Sequence, residues 1–135
     1  MLEGFVIIPL LSGSSFLSVT NNGLNFNNNV VYRMNKVKYI VLLLNEDKKQ
    51  LAIQKCDENT EDKISFFRDE KNLKNGVRFN NRETQIMIAQ MMSWNLEQYN
   101  YRVDGIYYEK EQAMIFDLNM ARKFKKRIVK NSTNN

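Results

Sequence analysis

Histidine is absent from this 135-residue chain, and cysteine and proline each occur once. Without histidine, the chain lacks the usual general base and the commonest metal ligand. A lone thiol, Cys56, cannot form an internal disulfide, which makes a reducing, intracellular compartment the default. With no histidine to activate it, Cys56 is expected to be inert. One proline and five glycines also argue against a linker-rich or low-complexity chain.

Membrane-spanning runs and phosphate-binding loops are missing as well. The apolar stretch Phe5–Leu11 is far shorter than the roughly 20 residues that span a bilayer, and no basic segment precedes it as in a signal peptide. Neither G-x-x-x-x-G-K nor G-x-G-x-x-G occurs. Glu109 and Glu111 flank a turn, and we interpret them as an exposed hairpin tip rather than a catalytic pair. The sequence therefore predicts a cytoplasmic, non-enzymatic protein without metal, cofactor or membrane partner.

A motif of the form N-G-[LV]-x-F-N-N occurs twice, at Asn22–Asn28 and at Asn75–Asn81. In both copies Asn-Gly predicts a turn, the apolar residues alternate as in a strand, and an asparagine follows that can cap a helix. Because a missed repeat changes the whole fold assignment, we interpret the chain as two diverged copies of one unit. The length fits one domain made of two halves.

The first repeat, residues 16–55, predicts two strands around the Asn-Gly turn, a short helix and a β-hairpin. The helix is capped by Asn27 and runs to about Asn35. The hairpin joins Val37–Leu44 to Leu51–Ile53. An apolar arm, residues 1–15, precedes this repeat.

The second repeat, residues 64–118, predicts the same order of elements. A strand at Ile64–Phe67, a loop at Arg68–Leu73 and the repeated motif lead to a longer helix, which ends near Trp94. Asn80 with Glu83 has the spacing of a capping box. The hairpin strands are Tyr99–Tyr108 and Ala113–Phe116, and a basic tail, residues 119–135, follows.

This order of elements resembles the AbrB-like swapped-hairpin family, and the tandem copy is similar to the MraZ arrangement. The resemblance implies an α+β, mostly β fold, in which two pseudo-symmetric β-β-α-β-β units pack as an intramolecular swapped-hairpin-like pseudo-dimer. It also implies a DNA-binding transcription regulator with basic residues around the motif. Leu24 and Val77 directly follow the glycines, where the family often has arginine. The first copy offers only asparagine there, whereas the second offers Lys74, Arg78 and Arg82.

Positive charge is concentrated near the C-terminus. The net charge is +5, with 20 basic and 15 acidic residues. Six of the basic residues lie in one acid-free segment: Arg122, Lys123, Lys125, Lys126, Arg127 and Lys130. The remaining 14 bases face 15 acids. Such a tail is typical of attachment to nucleic acid, and a solvated C-terminus is the alternative. If the tail is helical, Phe124 and Ile128 share one face.

Aromatic and methionine side chains of the second half have two interpretations each. Tyr99, Tyr101, Tyr107 and Tyr108 are a possible stacking platform for single-stranded nucleic acid, but alternation along strands favours a sheet core. Met87, Met91 and Met92 are a possible adaptable binding face, but their spacing favours the apolar stripe of a core helix.

Two functions follow as hypotheses. The first is a non-enzymatic nucleic-acid-binding protein, with DNA favoured, that uses the basic tail together with Lys74, Arg78 and Arg82. The second is a protein-interaction module, such as an accessory or anti-defence protein of a phage or mobile element. In the second, the apolar arm Phe5–Leu11 pairs with a partner's strand edge or forms a homodimer.

Overall fold

The computed structural model describes residues 2–5, 13–70 and 76–126. Within these ranges, the chain forms nine strands, two short α-helices and one 3₁₀ turn. In chain order the elements are β1 Phe16–Thr20, β2 Gly23–Phe26, α1 Asn28–Arg33, β3 Tyr39–Asn45, β4 Gln50–Cys56, β5 Ile64–Ser65, β6 Val77–Phe79, α2 Arg82–Met92, β7 Tyr99–Tyr108, β8 Ala113–Asp117, the 3₁₀ turn Leu118–Met120 and β9 Arg122–Lys125.

The described strands form one curled antiparallel sheet, in the order β5-β3-β4-β8-β7-β1-β2-β6. Strand β9 lies off this path and pairs with the first part of β7. The predicted mostly β class is therefore confirmed, and the elements from β1 to β4 and from β5 to β8 each follow the order strand, strand, helix, strand, strand. None of the helices in the described ranges has both the length and the apolar character needed to cross a membrane.

Alternation along the strands explains which face is buried. Leu17, Val19, Leu24 and Phe26 are fully buried, while the residues between them remain partly accessible. Side chains of successive strand residues point to opposite faces, so one face of β1 and β2 packs into the core. Val30 and Val31 of α1 and Ile88 of α2 belong to the same core cluster. The helices therefore cover this face and leave the other face to solvent.

The two glycines of the repeated motif permit close approach between β2 and β6. The β1–β2 loop consists of Asn21 and Asn22, neither of which has positive φ, and Gly23 (φ +142°) already begins β2. A Cβ on Gly23 would lie 2.5 Å from the carbonyl oxygen of Phe79, and one on Gly76 would meet that of Phe26. The prediction of a tight turn is confirmed, but the glycine is required by the neighbouring strand rather than by the loop.

Asparagine caps both helices, although only one cap is at the predicted position. Asn27 accepts a hydrogen bond from the Val30 amide at 3.2 Å, as predicted. The cap of α2 is Asn81, which accepts from the Thr84 amide at 3.1 Å. The predicted capping box of Asn80 with Glu83 is therefore wrong by one residue, because the helix begins at Arg82.

Several predicted boundaries shift in the structure. Both helices end earlier than predicted, and the regular part of the strand predicted at 64–67 is limited to Ile64–Ser65. The helical alternative for the tail is wrong as far as Lys125, because Arg122–Lys125 forms β9. Most of the apolar arm and the end of the loop predicted at 68–73 lie outside the described residues.

Gly76→Ala and Gly13→Ala form a matched pair, because both glycines have φ +80°. Only the Gly76 position abuts backbone; nothing lies within 4 Å of a Cβ on Gly13. Left-handed backbone costs an alanine about 1–2 kcal/mol, and forced overpacking adds about 1–3 kcal/mol. We expect Gly76→Ala to lower the free energy of unfolding by more than Gly13→Ala does, measured by urea denaturation. Equal losses would contradict the close approach of β2 and β6.

Candidate functional site

Five residues form a row across the solvent face of the sheet. Arg78 of β6 lies opposite Asn25 of β2, Asn25 lies opposite Ser18 of β1, Ser18 lies opposite Arg102 of β7, and Arg102 lies opposite Arg122 of β9. Directly opposed residues on antiparallel strands share a face. We call this set the arginine row. Its three arginines are exposed, and Asn25 and Ser18 are half-buried.

Arg102 is held in place by aromatic rings. Its guanidinium carbon lies 4.8 Å from the centre of the Phe16 ring and 5.0 Å from that of Phe124. These distances are within the range of cation–π attraction. The rings come from β1 and β9, the strands on either side of β7. Strand pairing therefore sets where the two rings lie around Arg102, while its charge stays at the surface.

Asp104 is an acidic neighbour of the arginine row. The Arg122 guanidinium donates to the Asp104 carboxylate at 2.9 Å, and the Ser14 hydroxyl donates to the same oxygen at 3.1 Å. Both charged side chains of the pair are more than half exposed, so the pair adds little stability. Its main effect is to orient Arg122 and to offset part of the positive charge at that end of the row.

The structure separates the basic residues that the sequence grouped together. Arg78 and Arg122 belong to the arginine row, but Lys123 and Lys125 lie on the opposite side of β9. Lys123 faces Tyr101 in the register, and its ammonium is 4.5 Å from the centre of the Tyr99 ring.

Lys126 follows β9, and its amide donates to the Gln98 carbonyl at 2.9 Å. Arg82 begins α2 and lines an open pocket on the flank of that helix, together with Asn21 and Trp94. Lys74, Arg127 and Lys130, which the sequence also proposed, lie outside the described residues.

The sequence interpretation missed Arg102 as a candidate. A signal was present, because Arg102 and Asp104 alternate with Tyr101 and Val103 within the strand predicted at 99–108. Alternation of this kind predicts that Arg102 faces solvent. Nothing local indicated that Arg78 and Arg122 would align with it, because the alignment depends on pairing between strands distant in sequence.

The expected core role of the tyrosines holds for Tyr101 and not for Tyr108. Tyr101 is buried, its ring stacks on Trp94 at 4.2 Å, and its hydroxyl accepts from the Asn95 amide. Tyr99 and Tyr107 are partly buried against the core, whereas Tyr108 is exposed.

Met91 and Met92 likewise pack against the core, but Met87 is exposed. Glu109 and Glu111 are both exposed at the hairpin tip, as expected.

No protein-family model, curated protein or solved structure matches this chain. Among the described residues, no cluster of three or more aspartate, glutamate or cysteine side chains is arranged to hold a metal ion.

A double-mutant cycle between Arg102 and Phe124 tests the geometry of the arginine row. Arg102→Met keeps the apolar stem and removes the charge, while Phe124→Leu keeps an apolar side chain and removes the ring. Cation–π pairs at exposed sites contribute about 0.5–1 kcal/mol, so we expect a coupling energy of that size from chemical denaturation. A cycle of Arg102 with Tyr108→Leu, far along β7, provides the control. No coupling in the first cycle would contradict the packing of Arg102 against Phe124.

Proposed function

We propose that this chain is a non-enzymatic nucleic-acid-binding protein that holds a phosphate backbone on the arginine row. The alignment of Arg78, Arg102 and Arg122 on one solvent face is the observation that supports this proposal most directly. Guanidinium groups form bidentate, charge-assisted hydrogen bonds with phosphate. A prearranged set of three offers such contacts with little loss of side-chain freedom at Arg102, which is already packed between two rings.

Asn25 and Ser18 extend the same surface between the arginines. Asparagine and serine side chains contribute commonly to backbone contacts with nucleic acid, and such contacts fix register and orientation without reading sequence. The row therefore has the composition of a backbone-binding surface. Asp104, an acid beside the row, is paired with Arg122. Among the described residues, no salt bridge within 4 Å is found for Arg78 or Arg102.

The proposal includes the swapped-hairpin interpretation of the fold. Strand β1 of the first repeat pairs with β7 of the second, and β5 of the second repeat pairs with β3 of the first. In the pairing of β2 with β6, the first apolar residue of each motif lies opposite the second apolar residue of the other. Leu24 is opposite Phe79, and Phe26 is opposite Val77. This is the pattern expected of two equivalent units related by a local two-fold axis.

Two further observations support the same relationship. In the pairing of β4 with β8, Leu51 lies opposite Phe116 and Ile53 lies opposite Met114, so the register is again centred on a single pair, Ala52 and Ile115. The motif glycines also behave reciprocally, since Gly23 abuts the Phe79 carbonyl and Gly76 abuts that of Phe26. A tandem swapped-hairpin pseudo-dimer of the AbrB-like kind accounts for these features together.

DNA is the polymer that this resemblance favours, with transcription regulation as the corresponding role. Both copies of the motif contribute to the arginine row, through Asn25 and Arg78, which face each other at the centre of the β2–β6 pairing. The body of the protein is therefore the proposed binding surface, and the tail contributes through Arg122 of β9.

Salt dependence provides the test of this proposal. Each phosphate contact adds about 0.7–0.9 to the slope of log K against log salt concentration. We expect Arg78→Ala with Arg102→Ala to reduce the slope for a labelled oligonucleotide by about 1–2, because two contacts are lost. Fluorescence anisotropy at several salt concentrations measures the binding constants from which this slope is obtained.

The matched control is Arg33→Ala with Lys38→Ala, which removes two exposed cations at the end of α1 and before β3. This variant has the same net charge and should retain nearly the wild-type slope. Equal effects of both pairs would indicate a general charge effect. No binding of the wild-type protein even at low salt would contradict the proposed function.

A second candidate function, protein interaction, is supported by an apolar row on the same solvent face. Leu43, Ala52, Ile115 and Ile106 face one another across β3, β4, β8 and β7, with Leu43 44% and Ile106 62% exposed. Contiguous apolar exposure often marks an interaction surface. In this candidate function, the chain is an accessory protein of a phage or mobile element and binds its protein partner through this apolar row.

If protein interaction is the function, affinity purification should recover one stoichiometric protein that nuclease treatment does not remove. Leu43→Ser with Ile106→Ser should abolish its recovery, because two exposed apolar contacts of the row become polar. Arg78→Ala with Arg102→Ala is the control and should leave recovery unchanged. Recovery that instead requires the arginines would rule out this candidate surface.

A further inference from the structure

The arginine row lies on a broad sheet surface rather than on a projecting element. Neighbouring strands are about 4.8 Å apart, so a row across five strands measures at most roughly 19 Å, because the sheet is curled. The major groove of B-DNA is about 12 Å wide and admits a helix or a two-stranded ribbon. The β1–β2 hairpin is flanked by β7 on one side and β6 on the other. It is therefore not free to enter a groove as a ribbon.

Aromatic rings accompany the arginines on this surface. Phe16 and Phe124 lie on either side of Arg102, and Phe124 is 41% exposed. In the register, Phe124 is opposite Asn100 and Phe16 is opposite Asp104, so the two rings are displaced along the strands in opposite directions from Arg102. The result is an alternating series of ring, guanidinium and ring on one solvent face.

This series has the chemistry that binds unpaired bases. Bases of single strands stack on aromatic side chains and on arginine planes, whereas bases within a duplex are already stacked on each other. Phosphates of the same strand would contact Arg78 at one end of the row and, at the other end, Arg122, whose charge Asp104 partly offsets. A broad sheet accepts a strand lying across it, since nothing has to enter a groove.

We propose that the arginine row binds single-stranded nucleic acid, with bases stacked against Phe124 and Phe16. This inference rests on the proposed nucleic-acid function and specifies the form of polymer that the surface takes. The stacking and phosphate contacts are common to single-stranded DNA and RNA, and the row as described does not distinguish the two sugars.

The experiment compares three labelled oligonucleotides of one sequence: single-stranded DNA, single-stranded RNA and duplex DNA. Removing an aromatic ring on which one base stacks typically weakens binding about 5-fold or more. We expect wild-type protein to bind at least one single strand about 10-fold more tightly than the duplex. Phe124→Leu should weaken single-strand binding about 5-fold or more and change duplex binding less than 2-fold.

Phe124→Trp separates stacking from simple packing of β9. Tryptophan keeps a π face, so this variant should retain single-strand affinity within about 2-fold, whereas Phe124→Leu keeps only apolar bulk. Tyr32→Leu is the matched control, because Tyr32 is a half-buried aromatic side chain of α1, which covers the face of the sheet opposite the arginine row. It should leave all three affinities unchanged.

The outcomes distinguish a failure of the proposed nucleic-acid-binding function from a failure of the single-strand inference. Failure of all three oligonucleotides to bind at low salt would overturn the nucleic-acid function itself. Duplex affinity equal to or greater than that of both single strands would overturn the single-strand inference and leave the function standing. The inference is also overturned if Phe124→Leu and Phe124→Trp lose affinity equally, because the ring would then act only by holding β9 in place. Tighter binding of the DNA strand or of the RNA strand would show which of the two sugars the surface prefers.

Discussion

The structure depends on the packing of Phe26 of β2 among three phenylalanines from later in the chain, Phe66, Phe79 and Phe116. Its ring centre lies 5.8 Å from those of Phe66 and Phe79 and 5.5 Å from that of Phe116. Removing a buried phenylalanine typically costs about 3–5 kcal/mol, against a total stability of about 5–15 kcal/mol for a domain. This contact between β2 and the later part of the chain is therefore a large part of what keeps the sheet curled and in register.

The candidate site is a consequence of that register. Arg78, Arg102 and Arg122 come from β6, β7 and β9 and align only because each intervening strand is paired at one particular position. A slip of one residue would turn each side chain to the opposite face, which would bury arginines and expose Leu24 and Phe26. The cost of that exchange is many times larger than any surface ion pair contributes. Core packing therefore positions the charges, and the charges contribute little to the fold.

Local patterns in the sequence predicted the elements, and the long-range pairings lay beyond them. The repeated motif predicted the order of strands and helices and the Asn27 cap, because turns, caps and alternation depend on near neighbours. Arg122–Lys125 has no apolar alternation, and it forms a strand because β7 offers it an edge. Arg102 gained its significance from Phe16 and Phe124, which no spacing along the chain connects with it. The Asn81 cap was missed because two adjacent asparagines, Asn80 and Asn81, follow β6, and the start of α2 at Arg82 decides which of them caps the helix.

The most direct measurement is NMR mapping of the amide resonances during titration with an unlabelled oligonucleotide. Binding on the arginine row predicts that the largest shifts occur at Ser18, Asn25, Arg78, Arg102 and Arg122, which lie on five different strands and share only this surface. The amides of α1, including Val30 and Val31, should change little, since they lie in the core on the other face. Shifts confined to the apolar row of Leu43 and Ile106, or no shifts at all, would contradict a nucleic-acid role for the arginine row.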